Sequence, residues 1–105
     1  MDLSYLISIS DGDKEFIMDF LSTFEKSTIP QINQLQVALE KNDLETVRKI
    51  AHQLKPTTEL LKFTSHSMVL LLNKYPEQGK ADEVYLLREE AMKTIASIKD
   101  RFGID

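Results

Sequence analysis

The sequence predicts an all-α protein, an antiparallel four-helix bundle with an additional N-terminal helix packed across it. The chain of 105 residues has only three glycines and three prolines and is rich in Leu, Ile, Lys and Glu, a composition that favours helix. Apolar residues recur every three or four positions along most of the chain, as on helices that bury one face. A chain of this length forms one hydrophobic core, so residues 1–105 are predicted to be a single domain.

The N-terminal helix is predicted over about residues 11–26. Before it, an apolar opening at residues 3–9 is expected to form a helical turn or two that covers one end of the bundle. Ser10 is the expected N-cap, and five apolar residues follow at helical spacing: Phe16, Ile17, Phe20, Leu21 and Phe24. This stripe is interpreted as core. A partner-docking surface is the alternative, because aromatic residues are favoured in interfaces.

The segment Ser27–Pro30 is predicted to mark a break and restart of the helix. The next helix is predicted over about residues 28–41. Thr28 is its expected N-cap, and a proline is tolerated in a first helical turn because its missing N–H has no helical partner there. Asn42 is the expected N-cap of a helix over about residues 43–62. The connection at Asn42 is so short that the two helices it joins are predicted to be antiparallel neighbours.

Two further helices complete the predicted bundle, over about residues 64–75 and 80–102. The first ends near Tyr75–Pro76 and carries an apolar stripe of Met68, Val69, Leu71 and Leu72. The last helix has the clearest bundle seam, with spacings of three and four throughout: Val84, Leu87, Ala91, Ile95, Ile98 and Phe102. Gly103 suits the exit of this helix.

The helix over residues 43–62 contains the one histidine whose surroundings suggest chemistry. Its apolar stripe is formed by Leu44, Val47, Ile50, Ala51, Leu54 and Leu61. At about 100° per residue these positions share one face, and His52 falls on the opposite, solvent-facing side. Pro56 lies inside this helix and removes the hydrogen bond to the carbonyl of His52. The helix could end at Lys55 and restart, but the continued apolar phase favours one continuous, bent helix.

Three cations surround His52 on the outer face of this helix. Arg48 lies four residues before it, Lys49 three before and Lys55 three after, whereas Glu45 and Glu59 lie about two turns away. An exposed imidazole with cations around it is a reasonable binding place for a dianion. The alternative is an exposed histidine among solvated charges, which is a common arrangement.

Other classes of function find little support in the sequence. The net charge of −4 argues against nucleic acid as the main partner. There is no cysteine, no Gly-rich nucleotide loop and no His-x-x-x-His pair, so neither a kinase site nor a metal site is predicted. His66 is expected to be structural or solvent-facing. Without a long apolar run or an N-terminal leader, no membrane association is expected and a cytoplasmic location is predicted.

The stretch Ala51-His52-Gln53-Leu54-Lys55, followed by Pro56-Thr57-Thr58, resembles the signature of histidine-containing phosphotransfer domains of two-component phosphorelays. Chain length and helix order are also similar. The resemblance implies that His52 is the phosphorylated histidine, that Leu54 is an inward anchor and that Lys55 stabilises the phosphoryl group. Two positions depart from the family pattern, since Pro56 and Lys62 stand where the family has glycine.

The resemblance implies a phosphorelay intermediate rather than an autonomous kinase. His52 would accept a phosphoryl group from an aspartate of one receiver domain and pass it to another. The expected partners are response-regulator receiver domains and a hybrid sensor histidine kinase, which would dock on Arg48, Lys49, Pro56 and Glu59 around His52. No cofactor is expected on this chain, Mg²⁺ being expected on the receiver, and a monomer is expected. Two alternatives stay open: a docking module that binds a receiver or sensor kinase without transfer, and a purely structural bundle.

Overall fold

The computed structural model describes all residues from 1 to 105 and is all-helical, with 81% helix and no strand. The α-helices, in chain order, are α1 (Ser4–Ser10), α2 (Lys14–Thr23), α3 (Ile29–Glu40), α4 (Leu44–Leu60), α5 (His66–Lys74) and α6 (Val84–Phe102). A π-helical turn, Phe24–Thr28, joins α2 to α3, and short 3₁₀ turns lie at Pro76–Gln78 and Ala81–Glu83. Five helices therefore pack together, one of them formed by α2, the π turn and α3.

The predicted break at Ser27–Pro30 is wrong, because α2 and α3 form one continuous helical run. The backbone N–H of Ile29 donates to the carbonyl of Phe24, five residues before it. This wider turn inserts an extra residue into the helical ladder. Pro30 follows directly and lies in the first turn of α3, where its missing N–H and its ring are accommodated at the end of the wide turn.

The helix caps also differ from those predicted, and aspartates take the place of the expected residues. Asp13 caps α2 by accepting from the N–H groups of Glu15 and Phe16, and Asp43 caps α4 by accepting from Thr46. Ser10 is the last residue of α1 and donates its hydroxyl to the carbonyl of Ile7 at 2.8 Å. Asn42 adopts a left-handed backbone conformation, with φ at 55°. Thr28 is buried inside the long helix and makes no side-chain cap.

The core lies between the long helix formed by α2 and α3 and the helices α4, α5 and α6. α4 packs against α3 and α5, while α6 packs against α2 and α3. The predicted seam of α6 is buried from Val84 to Ile98, and Phe102 packs against its end. Two residues assigned to core stripes are instead exposed, Phe16 and Leu71, since each helix contacts its neighbours over a narrower face than its apolar pattern covers.

Polar contacts at the surface accompany the packing of α6 beside α3. The guanidinium of Arg88 donates to the side-chain oxygen of Asn33 at 3.1 Å and to that of Gln36.

Gly103 ends α6 in a left-handed conformation, with φ at 62°, as predicted for its exit. None of the helices combines the length and the apolar character that a membrane crossing requires.

Candidate functional site

The site is built on α4, whose inner face is anchored in the core. Val47, Ile50, Ala51 and Leu54 are buried, and their helical spacing holds the opposite face towards solvent. His52 lies on that outer face and is exposed, as the sequence predicts. The imidazole is therefore held at the middle of a long helix that the core prevents from rotating, in a position that another protein can reach.

α4 is continuous through Pro56, which confirms the preference for a single helix. The proline nitrogen carries no proton, so the carbonyl of His52 receives no α-helical hydrogen bond from position 56. Pro56 is exposed, and its ring lies on the surface of the helix without interrupting the buried stripe. The irregular turn thus falls directly after the candidate histidine.

A shallow groove runs beside His52, between α4 and the end of α5. It is lined by Glu45, Arg48, Lys49, His52, Gln53 and Asn73. Asn73 of α5 donates from Nδ2 to the backbone carbonyl of Arg48 at 3.3 Å. On the other side of α4, Gln31 donates from Nε2 to Oε1 of Gln53 at 3.4 Å. Side chains of α5 and α3 therefore each donate one hydrogen bond to α4 close to His52.

The cations around His52 form no salt bridge in the structure. The ion pairs within 4.0 Å are those of Met1 with Glu90, Lys62 with Asp2, and Lys99 with Glu25. Arg48, Lys49 and Lys55 take part in none of them. Their positive charge is therefore available to an incoming anion, although salt screens exposed charges of this kind.

Not all the residues predicted around His52 line the groove. Arg48 and Lys49 do, but Lys55, Pro56 and Glu59 do not. Lys55 is partly buried, and Glu59 is exposed at the far end of α4. By helical geometry Lys55 still shares a face with His52, one turn on.

The sequence did not predict that Asn73 and Gln53 line the groove, or that the carboxylate of Glu45 lies in it. Asn73 enters only because the end of α5 packs beside the middle of α4, and no spacing within one helix could reveal that. Gln53 is next to His52 in the chain but has no charge that would attract notice. Glu45 lies in the same groove as His52, although helical arithmetic placed it two turns away.

The second histidine has a different setting. His66 is the first residue of α5 and is partly buried. Its Nδ1 lies 2.7 Å from the hydroxyl of Thr58, a side chain in α4 that is only 1% exposed. Thr58 also fills the gap in the apolar stripe of α4 between Leu54 and Leu61. His66 is thus a structural residue with a defined partner, one of the two alternatives expected for it.

A second polar centre lies where the chain enters α5. The carboxylate of Glu90, from α6, accepts from the N–H of Thr64 at 2.7 Å and from the N–H and hydroxyl of Ser65 at 3.1 and 2.7 Å. Burial raises the pKa of Glu90, but the hydrogen bonds from Ser65 and Thr64 together outweigh it and leave the pKa below its ordinary value. This carboxylate is charged and accepts three hydrogen bonds from within the chain, so its role is to stabilise the fold.

Comparisons of the chain with models of protein families, with curated proteins and with solved structures find no match. Within the structure, no group of three or more His, Asp or Glu side chains is arranged to hold a metal ion.

Proposed function

We propose that this chain is a phosphorelay intermediate that carries a phosphoryl group on His52. One observation supports the proposal most directly. His52 is exposed in the middle of a core-anchored helix, in a groove with Arg48 and Lys49, whose charges no carboxylate pairs within 4.0 Å. A phosphoryl group brings about two negative charges, and these cations would stabilise it without first having to break an existing ion pair.

The proposed step is a phosphoryl transfer between two proteins. The neutral imidazole of His52 attacks the phosphorus of an aspartyl phosphate on a receiver domain. A bond forms between Nε2 and phosphorus while the bond from phosphorus to the aspartyl oxygen breaks, and the aspartate leaves as a carboxylate. Attack by the aspartate of a second receiver reverses these two changes. Mg²⁺ held by the receiver would supply charge neutralisation at the phosphoryl oxygens.

The residues of this chain would contribute position and charge. The core holds the backbone of α4 at His52 fixed, which reduces the entropy that has to be lost before attack. Lys55, one turn on, would stabilise the phosphoryl oxygens, and Arg48 and Lys49 would add a weaker positive field that salt screens. The side-chain amide of Asn73 keeps one N–H free after its bond to Arg48, and this group would orient a phosphoryl oxygen in the groove.

The arrangement of helices is compatible with the fold that this function implies. The additional N-terminal helix predicted over residues 11–26 is instead the first part of the long helix that α2 forms with α3. In the proposal, this long helix makes the four-helix bundle with α4, α5 and α6, and α1 takes the place of the additional helix. The chain would act as a cytoplasmic monomer and would meet receiver domains and a hybrid sensor kinase through the surface around His52. Pro56 and Glu59 are exposed on that surface and would contribute to docking.

A second function has a specific observation in its favour. Pro56 stands where the resembling family has glycine, and Glu45 places a negative charge in the groove beside His52. Both features would weaken phosphoryl transfer without preventing a receiver from docking. The alternative is therefore a module that binds a receiver or a sensor kinase and carries no phosphoryl group.

The test is transfer from a radiolabelled, phosphorylated receiver domain in the presence of Mg²⁺. The proposal predicts label on this chain that is labile in acid and stable in alkali, as expected of phosphohistidine. Because the chain has two histidines, two matched variants locate the label: His52→Gln should lose it, and His66→Asn should keep it.

A different result of this experiment would contradict the relay proposal. Stable binding of the receiver without any acid-labile label, and with no difference between wild type and His52→Gln, would replace the relay proposal with the docking module.

A further inference from the structure

The helical turn that follows His52 lacks a backbone hydrogen bond. Pro56 has no N–H to donate to the carbonyl of His52, and its ring crowds that carbonyl, which is how a proline bends or breaks a helix. Yet α4 continues in helical conformation to Leu60. A contact outside the backbone ladder would add support to this turn, which also carries Lys55.

Thr58 and His66 provide such a contact. The hydroxyl oxygen of Thr58 lies 3.1 Å from the carbonyl oxygen of Leu54 and 3.2 Å from that of Lys55. It lies 2.7 Å from Nδ1 of His66. Since His66 begins α5, this hydroxyl links the turn around Pro56 to a neighbouring helix.

The three distances indicate where the protons are. A threonine hydroxyl has one proton to donate and can also accept. If it donated to His66, its oxygen would face two carbonyl oxygens at 3.1 and 3.2 Å with no proton between them, which is repulsive. If it donates to the carbonyls and accepts from Nδ1–H, all three contacts are attractive. The second arrangement requires the Nδ1–H form of His66, and it persists when Nε2 binds a proton.

We propose that His66 is a positioning residue for the His52 site. Its Nδ1–H holds the hydroxyl of Thr58, which in turn holds the carbonyls of Leu54 and Lys55 at the turn where Pro56 removes a backbone bond. The consequence is that Lys55 keeps a fixed position one turn from His52. This inference rests on the proposed phosphotransfer function, because it assigns to His66 a role in the geometry of that site.

The kinetic test compares phosphoryl transfer from a phosphorylated receiver to matched variants, at a temperature at which circular dichroism shows every variant to be fully folded. His66→Leu and Thr58→Val each remove one end of the link. Each should slow transfer roughly threefold to tenfold, the range that corresponds to loss of one hydrogen bond. KM for the receiver should not change, because the docking surface is intact. The double variant should be no slower than either single variant, because both remove the same link.

Conservative variants and a control separate positioning from general destabilisation. His66→Asn places an amide N–H near the position of Nδ1, and Thr58→Ser keeps the hydroxyl, so both should restore most of the rate. Ser67→Ala, at the next position of α5, removes only a 3.5 Å contact to the carbonyl of Thr64 and should transfer like wild type. Unchanged transfer in folded His66→Leu would overturn the inference.

A nuclear magnetic resonance measurement tests the same link without any receiver. The ¹⁵N shifts of the His66 ring should show a protonated Nδ1 at every pH at which the chain is folded. His66→Leu should shift the amide resonances of Lys55 and Thr57 and accelerate hydrogen exchange at Thr57–Glu59. An unprotonated Nδ1 at neutral pH, or an unchanged turn in His66→Leu, would overturn the inference. If wild type takes no label yet these shifts occur, it is the phosphotransfer function that fails, while the link stands.

Discussion

The polar groups at the two ends of α5 differ in whether they already have hydrogen-bond or ion-pair partners within the chain. At its beginning, the carboxylate of Glu90 accepts three hydrogen bonds from Thr64 and Ser65 and is in reach of the amino terminus. At its other end, Asn73 adjoins the groove in which His52, Arg48 and Lys49 lie, and neither cation there forms an ion pair within 4.0 Å.

The difference separates polar groups that stabilise the fold from those that are free for a partner. A half-buried carboxylate with all its donors in place contributes to folding, and removing it leaves those donors unsatisfied. Exposed cations without partners contribute little to folding. Polar residues therefore have different uses at the two ends of α5, and mutations at the two ends should affect different measurements.

The largest effect is expected at the groove. His52→Gln should abolish transfer from a phosphorylated receiver, since glutamine offers no nucleophilic nitrogen. It should change the free energy of unfolding by less than about 0.5 kcal/mol, because the side chain is exposed and surface substitutions rarely cost more. Urea denaturation and the labelling assay measure the two quantities. A large loss of stability would mean that His52 belongs to the fold.

The opposite pattern is expected at the other end of α5. Glu90→Ala should lower the free energy of unfolding by about 2 kcal/mol, since it leaves the N–H groups of Thr64 and Ser65 without their acceptor. Transfer by the folded variant should be preserved. Glu89→Ala is the matched control, because Glu89 is exposed and makes no ion pair or side-chain hydrogen bond. Equal stability of the two variants would contradict the assignment of Glu90 to the fold.

At acidic pH, the free energy of unfolding should depend on the charge of the Glu90 carboxylate. Its pKa is lower in the folded chain than its ordinary value, so its contribution to stability is complete above the pKa of the unfolded chain and is lost as the pH falls through the folded pKa. The free energy of unfolding should therefore decrease as the pH drops below about 4.3, the ordinary value for glutamate.

Glu90→Gln should flatten this acid dependence, since the amide does not titrate. Asp2 and Asp43, whose pKa values are also lowered by hydrogen bonds from Ser4 and Thr46, would leave a residual slope. Urea denaturation of wild type and Glu90→Gln between pH 3 and 7 compares the two. Identical pH profiles would show that the hydrogen bonds to Glu90 do not depend on its charge.

The smallest effect is expected from the groove cations. Arg48→Ala combined with Lys49→Ala should slow transfer severalfold at low ionic strength and much less at high salt, because exposed charges act over a screened distance. Stability should hardly change. Transfer rates at two salt concentrations test this, with Lys41→Ala, an exposed lysine outside the His52 groove, as the control. A salt-independent defect would indicate direct contacts rather than a diffuse field.

The periodicity of the chain was a good guide to the helices and a poor guide to their junctions. The stripes of α4 and α6 were predicted almost residue by residue, since a helix that must bury one face needs that spacing. The junction at Ser27–Pro30 was mispredicted, because a serine, a threonine and a proline usually mark an end. Here a π turn absorbs them within one helix, a choice that depends on packing on both sides of the turn.

Some features of the candidate site could likewise be predicted from the sequence, and others could not. The outward direction of His52 and the cations three or four residues from it follow from helical geometry alone. Asn73 and the link between Thr58 and His66 do not, because each joins α4 to α5 and depends on how these helices lie against each other. Local spacing cannot supply a contact between residues 8 or 25 positions apart.

By itself, then, the sequence determined that the chain is helical, which faces of α4 and α6 are buried and that His52 points outward, because these properties depend on the fixed rotation per residue of a helix. The tertiary structure decided that α2 and α3 are one helix and which groups meet across α4, α5 and α6. Those outcomes depend on hydrogen bonds and packing between segments distant in the chain, whose free energies exist only once the helices are in contact.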